Sequence, residues 1–389
     1  MALVPLQYAF GSIWHRKGAT LLAVMSIAAT VAVLAGMLCL QQGFLGVQTQ
    51  GGRTDLAVFL RPGANSEGES AFDLERSQIV MKESPEIQTD DNGAPMASAE
   101  MFLAVSLPKV DGGKTNVPLR GVQPMSFAIH GDDLKILAGR NLTPGTNEII
   151  VGRSITDRIA DCKVDDELEL NMTMFRVVGV FEARGSHNSE IWGDVDRLRS
   201  ALQFDNYNRV IGLLKPGITA EQVHERLVVH PRAPAKVIDE KTYLSSQTGM
   251  LSGMLGIMGG FLAFLMGIGA IFTGTNAMLS LVASRTHEIG ILLATGFRPW
   301  AIFVSFLLEA ALLGLGGGIV GCILVLPLNG MQTGTTNFQT FTDIAFAFQF
   351  TPTVLITALA TAVILGVVGG AFPAFRASRL TPTQALRRG

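Results

Sequence analysis

The sequence predicts a membrane α-helical protein with four transmembrane helices and one large α+β extracytoplasmic domain between the first and second helices. The first reason is composition. The 389 residues are 48% hydrophobic and 16% charged, which is too apolar for an ordinary soluble enzyme and too charged for a bundle of membrane helices alone. The second reason is the placement of charge, because four windows with almost no Asp, Glu, Lys or Arg flank a long charged middle segment.

Each charge-poor window contains an apolar run that is long enough to cross a membrane. A hydrocarbon core about 30 Å thick needs about 20 apolar residues in a helix. The first run is longer than the core of a signal peptide, which has about 7–15 residues, so we expect a retained anchor. The second exceeds what a bilayer needs and is expected to project as a stalk. We place the spans at residues 19–40, 250–284 with the stalk included, 301–328 and 351–375.

Basic side chains predict the orientation of the spans. The N-terminal segment 1–18, the loop 285–300 and the C-terminal tail 376–389 contain more Lys and Arg than Asp and Glu, whereas the segment 329–350 contains only Asp343. Positively charged loops tend to remain in the cytoplasm. We therefore expect both termini in the cytoplasm, and the domain 41–249 and the loop 329–350 outside.

The middle domain, residues 41–249, is predicted to be a single α+β unit. Short apolar or alternating runs indicate strands, and Thr219 with Gln222 three residues later indicates a capped helix start. The polar, turn-rich stretch 64–95 is predicted to be a loop. The predicted strands are 55–60, 148–151, 167–171, 175–181, 209–214 and 236–238, and the predicted helices are 154–161, 195–202 and 219–228.

The middle domain has no residue pattern that predicts catalysis or metal binding. Its four histidines lie in no H-E-x-x-H or other close ligand spacing, and we interpret the cluster His187–Glu190 as a structural loop. The chain lacks a P-loop, a G-x-S-x-G elbow and a basic patch with interleaved aromatic residues. We therefore predict no catalytic residue, no metal site, no cofactor in this chain and no nucleic-acid partner. The four histidines are His130, His187, His224 and His230.

The loop after the second span has a short amphipathic pattern. Polar Arg285 and Glu288 come first, an apolar run follows, and Gly296 is a plausible helix stop. A segment of this kind is equally suited to docking on a soluble partner and to resting on lipid as an interfacial helix. The pattern alone leaves both alternatives open.

The same loop resembles the coupling-helix signature of the MacB/FtsX family of ABC permeases, the type VII ABC transporters. The resemblance rests on Glu288-Ile289-Gly290-Ile291-Leu292 followed by Thr295-Gly296, on residues 8–17 before the first span, and on residues 373–387 at the end of the chain. Residues 147–154 and 177–185, the latter followed by Glu190-Ile191-Trp192, resemble the membrane-proximal part of the family's periplasmic domain. The order of spans and domain also agrees, so the resemblance covers essentially the whole chain.

The resemblance implies a bacterial cytoplasmic-membrane protein with a periplasmic domain of the MacB core type. It further implies a homodimer of this chain with two copies of a separate ABC ATPase that binds ATP and Mg²⁺, and a membrane-fusion adaptor or periplasmic protein as a further partner. Because no ATPase segment precedes residue 1, we expect a split permease subunit that is similar to DevC-like or lipoprotein-releasing permeases. The implied function is to convert ATP hydrolysis into motion of the periplasmic domain for export or extraction. The alternative is an FtsX-like regulator of an extracytoplasmic hydrolase.

The resemblance also indicates which residues contact or shape the ATPase interface. Leu293 stands where many relatives have a basic residue, which implies a more apolar docking surface. The implied coupling residues are Arg285, Glu288, Ile289, Gly290, Leu292 and Gly296.

Glycines in the spans have the small-x-x-x-small spacing that allows helices to approach closely. We expect most of these pairs to pack within the chain, and we assign Gly253, Gly256 and Gly260 of the second span to a dimer contact. Glu309 in the third span is a costly intramembrane acid, at about 2.5–3.5 kcal/mol near mid-membrane. We expect a structural role for it, with a hydrogen bond inside the bundle to Thr273, Thr275 or Ser305, or an approach to the cytoplasmic surface. A proton relay is the alternative.

Overall fold

The structure is a computed structural model that describes residues 17–337 and 342–381. Most of the predicted cytoplasmic segment 1–18 and the last eight residues of the predicted tail 376–389 lie outside the described residues. The chain folds into two compact units. The helical unit comprises Gly253–Met331 and the described parts of Met1–Gly43 and Ala347–Gly389, and the sheet unit comprises Phe44–Ser252 and Gln332–Phe346.

The described residues form nine α-helices, twelve β-strands and several short 3-10 helices. The helices are α1 (Lys17–Gln50), α2 (Leu74–Lys82), α3 (Pro124–His130), α4 (Val195–Leu202), α5 (Ala220–Leu227), α6 (Glu240–Ser284), α7 (Thr286–Ala294), α8 (Pro299–Val325) and α9 (Pro352–Ser378). The strands are β1 (Leu56–Leu60), β2 (Ala97–Pro108), β3 (Lys114–Val122), β4 (Leu134–Gly139), β5 (Glu148–Gly152), β6 (Glu167–Leu170), β7 (Thr173–Ala183), β8 (Ile191–Asp194), β9 (Arg209–Leu213), β10 (Lys236–Asp239), β11 (Gln332–Asn337) and β12 (Thr342–Ala347).

Four of these helices are long and apolar enough to cross a membrane, which confirms the predicted membrane helices. The candidate spans are Leu21–Gly46, Gly253–Ser284, Pro299–Leu328 and Pro352–Ser378. The second helix, α6, begins at Glu240, ten residues before the predicted start. Its first turn is capped by the Asp239 side chain, which accepts a hydrogen bond of 2.9 Å from the Thr242 amide.

Glycines bring α8 into close contact with α9 and α1. A Cβ added at Gly314 would lie 2.5 Å from the Ala362 carbonyl oxygen of α9, and one added at Gly321 would lie 2.8 Å from the Ala28 carbonyl oxygen of α1. Only a residue without a side chain allows backbones to approach this closely. These glycines of the third span pack within the chain, as expected from their spacing.

The sheet unit is built on a mixed ten-stranded sheet. The strand order is β10-β1-β9-β2-β3-β8-β5-β7-β4, and β6 pairs with β7 outside this path. The pairs β3–β8 and β5–β7 are parallel, and the other pairs in this sheet are antiparallel. The long strand β2 joins the two halves, because its first residues pair with β9 and the rest pair with β3. The observed fold is thus the predicted α+β class.

Some local predictions for the sheet unit were wrong. The helix predicted over 154–161 is a series of turns, because Ser154 and Ala160 donate their amide protons to the distant Asn188 and Pro108 carbonyls instead of continuing a helix. The loop predicted over 64–95 contains a 3-10 helix and α2, whose first turn is capped by the Asp73 carboxylate. The strands β2, β3, β4 and β8 were not predicted from the sequence.

The predicted extracytoplasmic loop 329–350 contains the two-stranded hairpin β11–β12, which belongs to the sheet unit. The Ala345 amide donates a 3.2 Å hydrogen bond to the Ser189 hydroxyl, and the Phe346 ring meets the Phe44 ring edge to face with centroids 5.3 Å apart. The middle domain and the loop 329–350, which the distribution of basic residues predicts to lie on the same side of the membrane, therefore fold together.

Candidate functional site

The predicted coupling segment is a nine-residue helix with a well-formed end. Helix α7 follows α6 after Arg285 and ends in a Schellman motif. The Phe297 amide donates to the Leu292 carbonyl at 3.1 Å and the Gly296 amide donates to the Leu293 carbonyl at 3.2 Å. Gly296 has a φ of 96°, which glycine adopts without strain. The structure thus places the helix stop at the predicted glycine.

One face of α7 is buried against the helical unit. The Ile289 side chain is 2% exposed and belongs to an apolar cluster with Met278 and Val282 of α6 and Ile302 of α8. Leu293, which departs from the family's basic residue, packs against the same cluster. This side of the helix is fixed by its own chain.

The opposite side of α7 is exposed. The exposed residues recur at three- and four-residue intervals, so they share one stripe of the helix. We call this stripe the coupling face, and it comprises His287, Glu288, Ile291, Ala294 and Thr295.

The predicted coupling residues therefore divide into two groups. Glu288 lies on the coupling face, whereas Ile289 and Gly290 are buried within the chain and shape the helix from behind. Arg285 and Leu292 are half-buried. His287 and Ile291 are also exposed on this stripe and were not among the predicted coupling residues, although a 3.6-residue periodicity applied to the segment separates Ile291 from Ile289.

Arg285 connects the coupling segment to the intramembrane acid. Its guanidinium lies 3.6 Å from the Glu309 carboxylate on α8 and 3.9 Å from the Glu288 carboxylate on α7. Glu309 is 2% exposed, and it pairs with a basic residue that sequence reasoning did not assign to it. The Thr273 and Thr275 hydroxyls, which were expected to bond Glu309, donate instead to the Gly269 and Gly369 carbonyls.

The three glycines assigned to a dimer contact lie in different environments. A Cβ added at Gly256 would lie 2.7 Å from the Gln41 side-chain nitrogen of α1, so Gly256 packs within the chain. At Gly253 and Gly260, apart from the chain neighbours and the nearby backbone of α6 itself, no described residue lies within 4 Å of an added Cβ. Only these two remain open to a second copy.

The sheet unit contains a buried network of charged side chains. Arg120 lies on β3 and Arg209 lies on β9, the two strands that flank β2, and both side chains are at most 2% exposed. The Arg120 guanidinium lies 2.7 Å from the Glu67 and Glu190 carboxylates. The Arg209 guanidinium lies 2.6 Å from Glu100, its cross-strand neighbour, and 2.9 Å from Glu67. The cost of removing these charges from water is offset by the attraction between the paired guanidiniums and carboxylates.

Two histidines and a glutamate extend this network. Nδ1 of His187 lies 3.0 Å from Glu190, and Nε2 lies 3.3 Å from Glu240. Burial lowers the pKa of His187, but Glu190 and Glu240 outweigh burial and raise it to about 9. Burial and the neighbouring His187 lower the pKa of His130 to about 4. Sequence reasoning predicted no such cluster, because its members are far apart in the chain.

We expect the sheet unit to lose stability in acid. Burial raises the pKa of Glu100, but Arg209 and Arg120 outweigh it and hold the pKa below the ordinary 4.5. A lowered pKa in the folded state contributes stability that is present above pH 4.5 and is lost as the pH falls below it. Urea titrations across this range, followed by tryptophan fluorescence, should show the fall. The fall in the free energy of unfolding should persist in about 1 M salt, which screens exposed ion pairs but not buried ones. A free energy of unfolding that does not change with pH in this range would contradict the pairing of Glu100 with the two buried arginines.

Two family models match the chain. A MacB-like periplasmic core domain matches residues 20–228, and an FtsX-like permease C-terminal domain matches residues 260–382. The first match spans more than half of the 389 residues, and the second covers most of the helical unit.

The curated relatives are longer proteins. The macrolide export ATP-binding/permease protein MacB of Nitrosomonas europaea is 42% identical over 111 residues, and the pyoverdine export ATP-binding/permease protein PvdT of Pseudomonas entomophila is 44% identical over 111 residues. Each alignment covers 28% of this chain and 16% of the relative.

Among solved structures, the periplasmic region of MacB from Actinobacillus actinomycetemcomitans aligns with a TM-score of 0.37 at 13% identity, over 52% of this chain and 93% of that one. The family models match both units in the order that the structure shows. The chain therefore belongs to the MacB/FtsX-type family of ABC transporter permeases, as a multi-pass membrane protein with a MacB-like periplasmic core domain.

Proposed function

We propose that this chain is the permease subunit of an ABC transporter in which ATP hydrolysis by separate ATPase subunits moves the periplasmic domain. Membership of the family implies an ABC ATPase partner. The chain itself performs no catalysis in this proposal, and ATP and Mg²⁺ bind to the partner. The observation that carries the proposal is the coupling face of α7, which is exposed while the rest of the helix is anchored in its own chain.

The coupling face has the chemistry of a small docking surface. Ile291 is 46% exposed at its centre, and Glu288 lies one turn before it. An apolar side chain rimmed by polar ones is the usual composition of an interface core. The Arg285 guanidinium lies within 4 Å of both the Glu288 carboxylate on α7 and the Glu309 carboxylate on α8. A displacement of α7 would therefore change the contacts of α8.

The remaining assignments follow from charge and from open surface. The basic segments favour cytoplasmic termini, and membership of the family favours a place in the bacterial inner membrane. The open glycines Gly253 and Gly260 on α6 favour a homodimer that pairs with two ATPase copies. A membrane-fusion adaptor or periplasmic protein is proposed to bind the periplasmic domain.

Export or extraction of a substrate is favoured over regulation of an extracytoplasmic hydrolase. The curated relatives are named for macrolide and pyoverdine export. These names support an export role for the family's permease region, and the substrate of this chain is not inferred from them.

The docking role of the coupling face is tested by two substitutions. Glu288→Lys and Ile291→Asp should each abolish copurification of the partner ABC ATPase, and should lower the ATPase rate of any remaining complex at least about tenfold, since central interface residues commonly contribute 2 kcal/mol or more. The measurements are pull-down from detergent extracts and phosphate release by the purified complex.

The matched control is Glu169→Lys, the same charge change at an exposed glutamate of strand β6 in the periplasmic domain. It should leave assembly and ATPase rate as in the unmodified protein. The Glu288 side chain is half exposed, so its ion pair with Arg285 contributes at most about 1 kcal/mol to stability. Misfolding would therefore not explain a loss of assembly in Glu288→Lys. Normal assembly and coupling of both coupling-face variants would overturn the proposal.

A further inference from the structure

Three side chains from separate parts of the periplasmic domain meet at one small cavity. His130 is the last residue of α3, His187 lies in the 3-10 helix Gly185–Ser189, and Glu240 is the first residue of α6. All three line a cavity of about 40 Å³. One nitrogen from each histidine and one carboxylate oxygen lie within 4.8 Å of one another.

The spacing of two of these groups suits a tetrahedral metal ion. Nε2 of His187 lies 3.3 Å from Oε1 of Glu240. Zinc bonds of about 2.0–2.2 Å to nitrogen and oxygen, at tetrahedral angles, separate two ligand atoms by about 3.4 Å. Two imidazoles and one carboxylate are a ligand set that zinc uses when it keeps a fourth position for water.

The second ring nitrogen of His187 has the partner that a metal-bound histidine requires. Nδ1 lies 3.0 Å from the Glu190 carboxylate, and Arg120 holds that carboxylate from its other side at 2.7 Å. A carboxylate that accepts the proton of the remaining ring nitrogen orients the imidazole and raises its basicity as a ligand. Nε2 of His187 is the nitrogen left to face Glu240.

The other histidine has a buried nitrogen that no described residue satisfies. His130 is 5% exposed, and its Nε2 has no hydrogen-bond partner within residues 17–337 and 342–381. A buried polar atom in this state is destabilising, because it has lost its hydrogen bonds to water and gained none in the protein. A metal ion in the cavity that His130 lines would remove this cost.

The charge of the surrounding network favours a divalent cation. Four buried carboxylates face only two buried guanidiniums, which leaves two negative charges in excess when the histidines are neutral. Arg53 and Arg184 also line the cavity, but Asp55 and Asp133 neutralise them. The carboxylates are Glu67, Glu100, Glu190 and Glu240, and the guanidiniums are Arg120 and Arg209.

We propose that His130, His187 and Glu240 form a binding site for a divalent transition-metal ion of the zinc class. The ion replaces the proton between His187 and Glu240, and water completes its coordination. It ties the end of α3 and the 3-10 helix to the first turn of α6. The site is independent of the proposed transport function, since it rests on residues of the periplasmic domain alone.

The test uses the full chain, purified in detergent without a polyhistidine tag and stripped with a chelator. Titration with Zn²⁺ should show about one tight site per chain, and Zn²⁺ should raise the thermal unfolding temperature by mass action. Co²⁺ should give the visible absorption of a tetrahedral site. It should also quench Trp192, whose ring lies 5.4 Å from the His130 ring and 5.8 Å from the His187 ring.

His130→Ala and Glu240→Gln should each weaken Zn²⁺ binding by more than about 100-fold, because losing a ligand exceeds the 10–100-fold effect of losing a second-shell group. The control His287→Ala removes an exposed histidine of α7 and should bind Zn²⁺ as the unmodified chain does. Absence of a saturable site in the unmodified chain overturns the proposal whether or not the variants fold. Equal affinity in His130→Ala and Glu240→Gln overturns it as well, because the ion would then bind elsewhere.

Discussion

Replacing Arg209 with methionine should destabilise the periplasmic domain by about 3–5 kcal/mol, because it removes one member of a buried ion network and leaves carboxylates uncompensated. Arg209 is fully buried, and its guanidinium lies 2.6 Å from Glu100 and 2.9 Å from Glu67. Methionine retains most of the side-chain volume, so the loss is one of charge pairing. Since domains are stable by only about 5–15 kcal/mol, a large share of this one's stability depends on the pairing.

The matched control for Arg209→Met is Arg176→Met. Arg176 pairs with Asp165 at 2.7 Å, but the two side chains are 61% and 72% exposed. An exposed pair contributes about 0–1 kcal/mol, so this variant should unfold almost as the unmodified protein does. Urea titrations of the purified chain, followed by tryptophan fluorescence, measure both. An Arg209→Met variant within about 1 kcal/mol of the unmodified protein would show that the network is not held by charge pairing.

The membrane helices were predictable from sequence because the bilayer imposes length and composition on each span. The start of α6 was not, since the polar residues from Glu240 onward resemble the rest of the middle domain. Their helicity depends on the Asp239 cap and on burial of Tyr243, which is 2% exposed within the domain core. Hydropathy indicates whether a segment lies in lipid or in water, but it does not indicate where the helix begins or ends.

The coupling segment was predictable in outline for a related reason. Its helix stop depends on Gly296, and the need for a positive φ is a local property that sequence reveals. The choice of buried and exposed faces depends on contacts with α6 and α8, so Ile289 was grouped with Glu288 although the structure buries it. Helical periodicity would have recovered this division, whereas the family signature did not.

The buried network and the histidine cluster could not be predicted from one sequence. A lone charged residue is normally exposed, and neither Arg120 nor Arg209 has an acidic neighbour in the chain that would indicate pairing. Their partners come from separate strands and short helices that only the sheet topology brings together. His130, His187 and Glu240 likewise have no ligand spacing, because three different elements supply them.

Replacing Gly314 with alanine should disrupt the packing of α8 against α9. The added Cβ would lie 2.5 Å from the Ala362 carbonyl oxygen and 3.1 Å from Gly366 Cα, both of them backbone atoms that cannot rotate away. The two helices must therefore separate, at a cost of about 1–3 kcal/mol for an overpacked contact. The expected result is a lower thermal unfolding temperature in detergent and less folded protein in the membrane fraction.

Gly316 provides a control that reverses the expected sign. It lies two residues further along the same helix, and apart from its chain neighbours and the nearby backbone of α8 itself, no described residue comes within 4 Å of a Cβ added there. Alanine favours a helix over glycine by up to about 1 kcal/mol, so Gly316→Ala should leave stability unchanged or raise it. A difference in sign between two identical substitutions cannot arise from helix propensity or hydrophobicity, because both are the same in each variant. Equal unfolding temperatures for the two variants would show that α8 and α9 are not held together through Gly314.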